Sequence, residues 1–396
     1  MALADISEHK RLDIQHEMLK QKFGGLYPRE VGSEVQRMLS RQRSEDEPPP
    51  AVLDVGTGSG SWAVDMARLF PNAEVIGMDL VPANAGIEIP PNCSFECDDA
   101  NLGFGHYHGC FDVVHARAIS SGITNYPEFL KEVWNILRPG GLYLGIEGNV
   151  GLFNKDFESI TTTDENHPRR GSDVQAGIKT IGWINDMGEV WENKGNFMFY
   201  IPIGPWEVPF QQTAPATPRE RFIGNLMRQN ALRFLGAVMP LLLSNGVSQE
   251  TVDHWNAMAE AELRNGTTKT YTRWTCVWAF KTSPATTGGE SSALLLYPKN
   301  ERISEYPQLR VAHHPSFAVF QTCSSPKTHK PSESLREMLG SNASDDKMEW
   351  EDVVPDAAGP VDVVIEFPDA NAIIGPSDGK GEGEKSKGAG QKLDEA

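Results

Sequence analysis

The sequence contains no apolar run of the roughly 20 residues that a membrane-spanning helix needs. The longest candidate, residues 231–243, is interrupted by Arg233 and Pro240 and predicts a buried helix instead. The N-terminal stretch MALADISEHKR also lacks the apolar core of a signal peptide. These absences predict a protein without membrane association that is located in the cytoplasm, with the nucleus as the alternative.

Positive charge is scarce. The chain has 36 basic against 54 acidic residues and a formal net charge of -18. This excess of negative charge argues against sequence-independent binding to a polyanion, so nucleic acid is not expected as a partner. A basic substrate or partner stays compatible with the charge.

Cysteines are few and their spacing forms no pairs. The odd set of five comprises Cys93, Cys97, Cys110, Cys276 and Cys323. Neither a disulfide framework nor a metal site matches this arrangement. We therefore expect reduced thiols and no bound metal.

Short apolar segments alternate with helical patterns in the first 280 or so residues. A helix is predicted over 4–22, and a polar, proline-rich linker is expected to complete an N-terminal region of 1–47. Strand, helix and strand follow at 51–55, 61–70 and 74–79. Further strands are predicted at 93–97, 111–115, 142–146, 196–203 and 271–281, with a helix at 126–137. This order indicates an α/β fold, a doubly wound sheet with its ligand at the carboxyl ends of the strands.

Two segments do not belong to the alternating pattern. A helical insertion is predicted at about 205–268, with Thr217 and Glu220 in capping-box spacing at the start of its first helix. It packs as ordinary core, covers the site as a lid, or does both. The insertion belongs to a domain that spans 48–282. The remainder, 283–396, is acidic and of low complexity, which predicts disorder and a tail able to contact protein partners.

The glycine-rich loop directly after the first strand carries the chemistry. It follows Asp54 and contains Gly56, Thr57, Gly58 and Gly60. Alternate glycines let the backbone turn sharply and contact a ligand. A dinucleotide fingerprint would need its third glycine at position 61, where this chain has Ser61.

Carboxylates end the second and third strands at the same predicted edge. Asp79, followed by Leu80, can accept both hydroxyls of a ribose. Asp98 and Asp99 precede Ala100, and Asp99 is preferred over Asp98 as the acceptor for an adenine amine. The fourth strand brings His115 to this edge as well.

Together these motifs resemble a class I S-adenosylmethionine (SAM)-dependent methyltransferase with its seven-stranded Rossmann-like sheet. Within that superfamily the chain is similar to the fungal LaeA-like group of secondary metabolism, on the motifs RLDIQH, VLDVGTGSGSWAVDMARLFPNAEVIGMDL, PPNCSFECDDA and IPIGPW. The resemblance covers roughly residues 8–282. It implies SAM as the cofactor, with the methionine part near Asp54 and the glycines, the ribose on Asp79 and the adenine near Asp99.

Two functions agree with this resemblance. The first is an enzyme that transfers the methyl group to a small-molecule acceptor by in-line displacement. The alternative is a SAM-binding regulator of secondary metabolism that acts through protein partners or on a protein substrate. His115 and His16 are the candidates for a general base, which is needed only when the acceptor carries its proton at neutral pH.

Overall fold

The computed structural model describes residues 6–41, 47–83, 86, 88–160, 172–173, 175–208, 216–266 and 268–283. The tail that the sequence predicts to be disordered lies outside the described residues from position 284 onward. In this described part of the chain, no helix is both long and apolar enough to cross a membrane.

The centre of the fold is a sheet that has seven strands within the described residues. The strands are β1 (Ala51–Val55), β2 (Glu74–Asp79), β3 (Cys93–Cys97), β4 (Phe111–Arg117), β5 (Leu137–Phe153), β6 (Trp191–Pro202) and β7 (Tyr271–Lys281). Their order is β3-β2-β1-β4-β5-β7-β6, with β7 antiparallel to both of its neighbours and the first five strands parallel. The predicted doubly wound sheet is confirmed.

Burial of both sheet faces explains the sequence of the central strands. Every residue of β1 is buried, as parallel strands covered by helices on both sides require. The register places Asp54 opposite Gly77 on one side and opposite His115 on the other. Asp79 pairs with Cys97 one strand further out. The polar residues predicted for the site therefore end at one common edge.

Helices cover both faces. They are α1 (Ile6–Phe23), α2 (Gly32–Leu39), α3 (Ser61–Leu69), α4 (Tyr126–Ile136), α5 (Ala176–Asp186), α6 (Pro218–Ser244) and α7 (Gln249–Asn265). One core cluster joins the sheet to α1, α2, α3 and α6, and contains Met18, Trp62 and Leu226. The other joins it to α4 and α5 through Phe129 and Ile184. The result is a three-layer α/β/α arrangement.

The expected polar linker before the first strand is wrong over part of its length. A 3₁₀ turn at Arg29–Val31 and the helix α2 occupy it, and Val31, Val35 and Met38 are buried in the core. Their spacing of four and three residues follows one helix face. The pattern is only about two turns long and is flanked by charged residues, so composition concealed it.

The helical insertion is confirmed, including its capping box. The Thr217 hydroxyl accepts from the Glu220 N–H at 3.2 Å, and the Thr217 N–H donates to the Glu220 carboxylate at 2.7 Å. α6 lies along α1, where Arg11 donates to the Asn230 side chain at 3.0 Å. Arg219 donates from Nε to the Gln21 carbonyl at 2.9 Å. The insertion therefore packs as core and also holds α1 in place.

Candidate cofactor site

The glycine loop turns through left-handed backbone at each of its three glycines. Gly56, Gly58 and Gly60 have φ values of 68°, 59° and 85°. The loop is tied to β2 because the Thr57 N–H donates to the Met78 carbonyl at 2.9 Å. α3 begins directly afterward, so its first N–H groups point toward the loop.

Side chains from distant parts of the chain occupy the space that a Cβ atom would need at these glycines. A Cβ on Gly56 would lie 2.3 Å from Ile119, which follows β4. A Cβ on Gly58 would lie 2.8 Å from Leu12 of α1. The glycines are thus required by backbone conformation and by packing, and α1 lies directly over the middle of the loop.

Asp79 connects the loop to the end of β2. Its Oδ2 atom accepts from the Gly58 N–H at 2.8 Å, and its Oδ1 atom accepts from the Val81 N–H at 3.2 Å. Each carboxylate oxygen has a second lone pair for a further donor. Asp79 is partly exposed and Leu80 beside it is 47% exposed, so both side chains reach the surface at this edge.

The two aspartates after β3 are both drawn into the local turn. The Asp98 N–H donates to the Asp79 carbonyl at 3.0 Å, which brings the end of β3 beside the end of β2. Asp98 Oδ1 accepts from the Asp99 N–H, and Asp99 Oδ1 accepts from the N–H and the side-chain amide of Asn101. Ala100 starts the short 3₁₀ helix that Asp99 caps. Both carboxylates and Ala100 are partly exposed.

Asp54 and His115 form a buried pair behind the loop. His115 Nδ1 lies 2.7 Å from Asp54 Oδ1, and Thr57 donates to Asp54 Oδ2 at 2.6 Å. The His115 ring is 0% exposed and stacks on Trp62 with a centroid distance of 3.7 Å. Burial lowers the pKa of His115 despite the carboxylate beside it. The side chain therefore stiffens the loop from below and does not reach the surface of the site.

His16 on α1 bridges the strand β4 and the helix α3. Its Nδ1 atom lies 3.3 Å from Arg117 Nη1, and its Nε2 atom lies 3.1 Å from Asp65 Oδ2. A guanidinium can only donate, so the hydrogen-bond network assigns the His16 proton to Nε2. Burial lowers the pKa of His16. Burial would raise the pKa of Asp65, but hydrogen bonds from His16 and Lys20 hold it well below its usual range.

Glu147 is a site residue that the sequence did not single out. It lies on β5 at 4% exposure, and its Oε1 atom accepts from the Ile119 N–H at 3.0 Å. Its Oε2 atom has no hydrogen-bond partner among the described residues. Burial raises the pKa of Glu147 to about 7, against hydrogen bonds that favour the carboxylate. The sequence feature that could have identified Glu147 is that it is the single acidic residue within the apolar strand segment LYLGIEGNV.

Comparison with known proteins agrees with this geometry. The model of a family described as "Methyltransferase domain" matches residues 23–176. The secondary metabolism regulator laeA of Coprinopsis cinerea is 32% identical over 292 residues, which cover 70% of this chain and 68% of that protein. Methyltransferase pytC of Aspergillus terreus is 29% identical over 228 residues, covering 54% and 67%.

Among solved structures, a phosphoethanolamine N-methyltransferase of Haemonchus contortus in complex with S-adenosyl-L-methionine covers 71% of the chain and 59% of its own length. It is 16% identical to this chain, with a TM-score of 0.39. The identity and coverage of the laeA relative are sufficient for a family assignment. The chain belongs to the LaeA-like group of SAM-dependent methyltransferases.

Proposed function

We propose that this chain binds SAM over its glycine loop and transfers the methyl group to a small-molecule acceptor. The observation that carries the proposal is the 2.8 Å hydrogen bond from the Gly58 N–H to Asp79. It joins a left-handed loop, suited to close backbone approach, to a carboxylate that reaches the surface beside it. The negative charge of this carboxylate would repel a pyrophosphate, whereas a ribose supplies two hydroxyl groups that can donate to it.

The residues present fit this cofactor, and each has a place in the proposed site. Asp79 accepts the ribose hydroxyls, and Asp99, with Asp98 as the alternative, accepts from the adenine amine. Leu80 and Ala100 flank the base. The loop, held from below by Asp54 and His115, supports the methionine part with Gly56, Thr57, Gly58 and Gly60.

When bound, SAM supplies an electrophilic methyl group on a sulfonium, and its transfer is an in-line displacement. The task of the chain is then to orient the acceptor and exclude water, which contributes up to roughly 7–11 kcal/mol in well-aligned systems. Neither histidine is placed to act as the base. His16 uses its lone pair to accept from Arg117, and His115 has no exposed surface. We assign both as positioning residues.

The second candidate function is a SAM-binding regulator that modifies a protein or acts through protein partners. The similarity to a protein named secondary metabolism regulator supports this candidate, whereas the similarity to methyltransferase pytC supports an enzyme. The acidic surplus of the chain suits a basic protein substrate as well as a basic metabolite.

Calorimetric titration tests the cofactor assignment first. The full chain is titrated with SAM and, separately, with NAD under the same conditions. We expect saturable binding of SAM and none of NAD. Binding of NAD alone would overturn the proposed function.

A labelling experiment then separates the two candidate functions. The chain is incubated with SAM carrying a labelled methyl group and with a cell extract divided into metabolite and protein fractions. We expect label in the metabolite fraction. Label found only in the protein fraction would exclude the small acceptor and favour the regulator.

A further inference from the structure

Arg117 is a partly buried cation that has no carboxylate partner among the described residues. Arg117 is the last residue of β4. Because Ala116 pairs with Val55, the register places Arg117 beside Gly56, at the start of the glycine loop. Its hydrogen-bond partner is the neutral His16 ring. No carboxylate of the described residues lies within ion-pair distance of its guanidinium. A partly buried cation without an anion is costly, so a site of this kind suits an anion that a ligand supplies.

The charged groups around Arg117 are already committed elsewhere. Asp54 attracts it through space but holds His115 at 2.7 Å and Thr57 at 2.6 Å. Asp65 is bound by His16 and by Lys20, the latter at 2.7 Å. The guanidinium therefore keeps donor capacity that these carboxylates do not use.

Resting on the proposed function, we infer that Arg117 is a carboxylate-binding residue that recognises the amino-acid end of the cofactor. Its register position beside Gly56 lies where the methionine part of SAM would cross the loop. Asp79 and the ribose would lie further along the loop, at Gly58. His16 positions Arg117, because the ring accepts from Nη1 and is itself held by Asp65 on α3. The methyl acceptor is the other source of such an anion, and the experiment distinguishes the two.

The test compares two ligands that differ in the amino acid alone. S-adenosylhomocysteine carries the carboxylate, and 5′-methylthioadenosine has the same nucleoside and thioether without it. In calorimetric titration of the full chain, we expect Arg117→Gln to weaken S-adenosylhomocysteine by at least about tenfold, in line with a lost charge-assisted hydrogen bond. Its affinity for methylthioadenosine should stay within about twofold. Arg117→Lys, which keeps the charge but loses the planar fork, should lie between Gln and wild type.

Control variants make the outcome specific. Arg37→Gln, at an exposed arginine of α2, should change neither affinity, and thermal unfolding confirms that each variant is folded. Asp79→Ala should weaken both ligands, because both contain the ribose. If wild type binds neither ligand, the proposed function fails. If Asp79→Ala weakens both while Arg117→Gln weakens neither, only the inference fails, and the acceptor becomes the source of the anion.

His16 provides an independent check through non-additivity. If it acts by holding Arg117, His16→Ala should weaken S-adenosylhomocysteine more than methylthioadenosine. In an Arg117→Gln background the same substitution should leave the ratio of the two affinities unchanged. An equal loss for both ligands in Arg117→Gln or in His16→Ala would overturn the inference.

Discussion

At the scale of single residues, Asp79 is central to the proposed cofactor site. It accepts from two backbone N–H groups, of Gly58 and Val81, while remaining partly exposed. We expect Asp79→Ala to weaken SAM binding at least about tenfold, because two ribose hydroxyls lose a charged acceptor. Asp79→Asn should also weaken binding, since its amide N–H₂ would face one of the two backbone donors.

Calorimetric titration measures both variants, with Asp156→Asn as the matched control at an exposed aspartate outside the site. The control should bind SAM like wild type. Unchanged affinity in Asp79→Ala, with the fold intact by thermal unfolding, would remove Asp79 from the site.

Local sequence identifies some of these residues and cannot identify others. Asp79 and the three glycines lie next to recognisable strand ends, so their chemistry can be predicted from the order of residues. The pairing of Asp54 with His115 joins positions 61 apart, and the contact of His16 with Arg117 joins positions 101 apart. Such contacts depend on which strands and helices become neighbours in the fold, and the local sequence around a single residue does not show this.

At the scale of elements, Glu147 fastens the segment after β4 to β5. It accepts from the Ile119 N–H, and Ile119 in turn packs against Gly56. Tyr126, Tyr143 and Thr275 are among the residues that line the small cavity around Glu147. The described residues of this lining include no second carboxylate and no cation. The carboxyl is therefore buried without a charged partner, and its titration is governed by burial.

This burial makes the stability of the chain depend on pH in a stated direction. Glu147 has a pKa of about 7 in the folded chain and about 4.5 as a free side chain. Between these two values the folded chain keeps a proton that the unfolded chain releases, so the free energy of unfolding falls as pH rises. The loss is of the order of 3 kcal/mol by pH 7.5.

Glu147→Gln isolates this effect because the amide oxygen still accepts from Ile119 but does not titrate. Denaturant unfolding at pH 5 and at pH 7.5 gives the free energy for both proteins. We expect the decrease between these two pH values to be smaller in the variant by about 2 kcal/mol, because part of the effect is already lost at pH 5. Parallel pH profiles for wild type and variant would contradict the raised pKa.

The elements that the sequence did not reveal share a physical cause. α2 spans only Gly32–Leu39, and α5, Ala176–Asp186, buries only Ala176, Thr180 and Ile184 among its eleven residues. Such short or sparsely apolar stripes give a weak periodic signal. β1, β2, β3 and β7, by contrast, were predicted with the boundaries that the structure has, because apolar runs bounded by turns mark them clearly.

At the scale of the whole molecule, the described fold is complete by the end of β7. The Thr282 N–H donates to the Val190 carbonyl at 3.0 Å, and Lys281 donates to the Leu137 carbonyl at 2.8 Å. β7 lies between β5 and β6 in the sheet. We therefore expect a chain that ends at Ser283 to unfold within about 2 °C of the full chain. Its affinity for SAM should be unchanged within about twofold.

A second truncation provides the matched control. A chain that ends at Thr270 lacks β7 and leaves the edges of β5 and β6 without their ladder partner, so it should not fold. Circular dichroism during heating and calorimetric titration with SAM compare the three lengths. A fall of more than about 5 °C for the chain ending at Ser283, or loss of SAM binding, would place part of the fold or of the cofactor site beyond residue 283. If both properties are retained, the cofactor chemistry belongs to the first 283 residues, and any role of the remaining sequence lies outside cofactor binding.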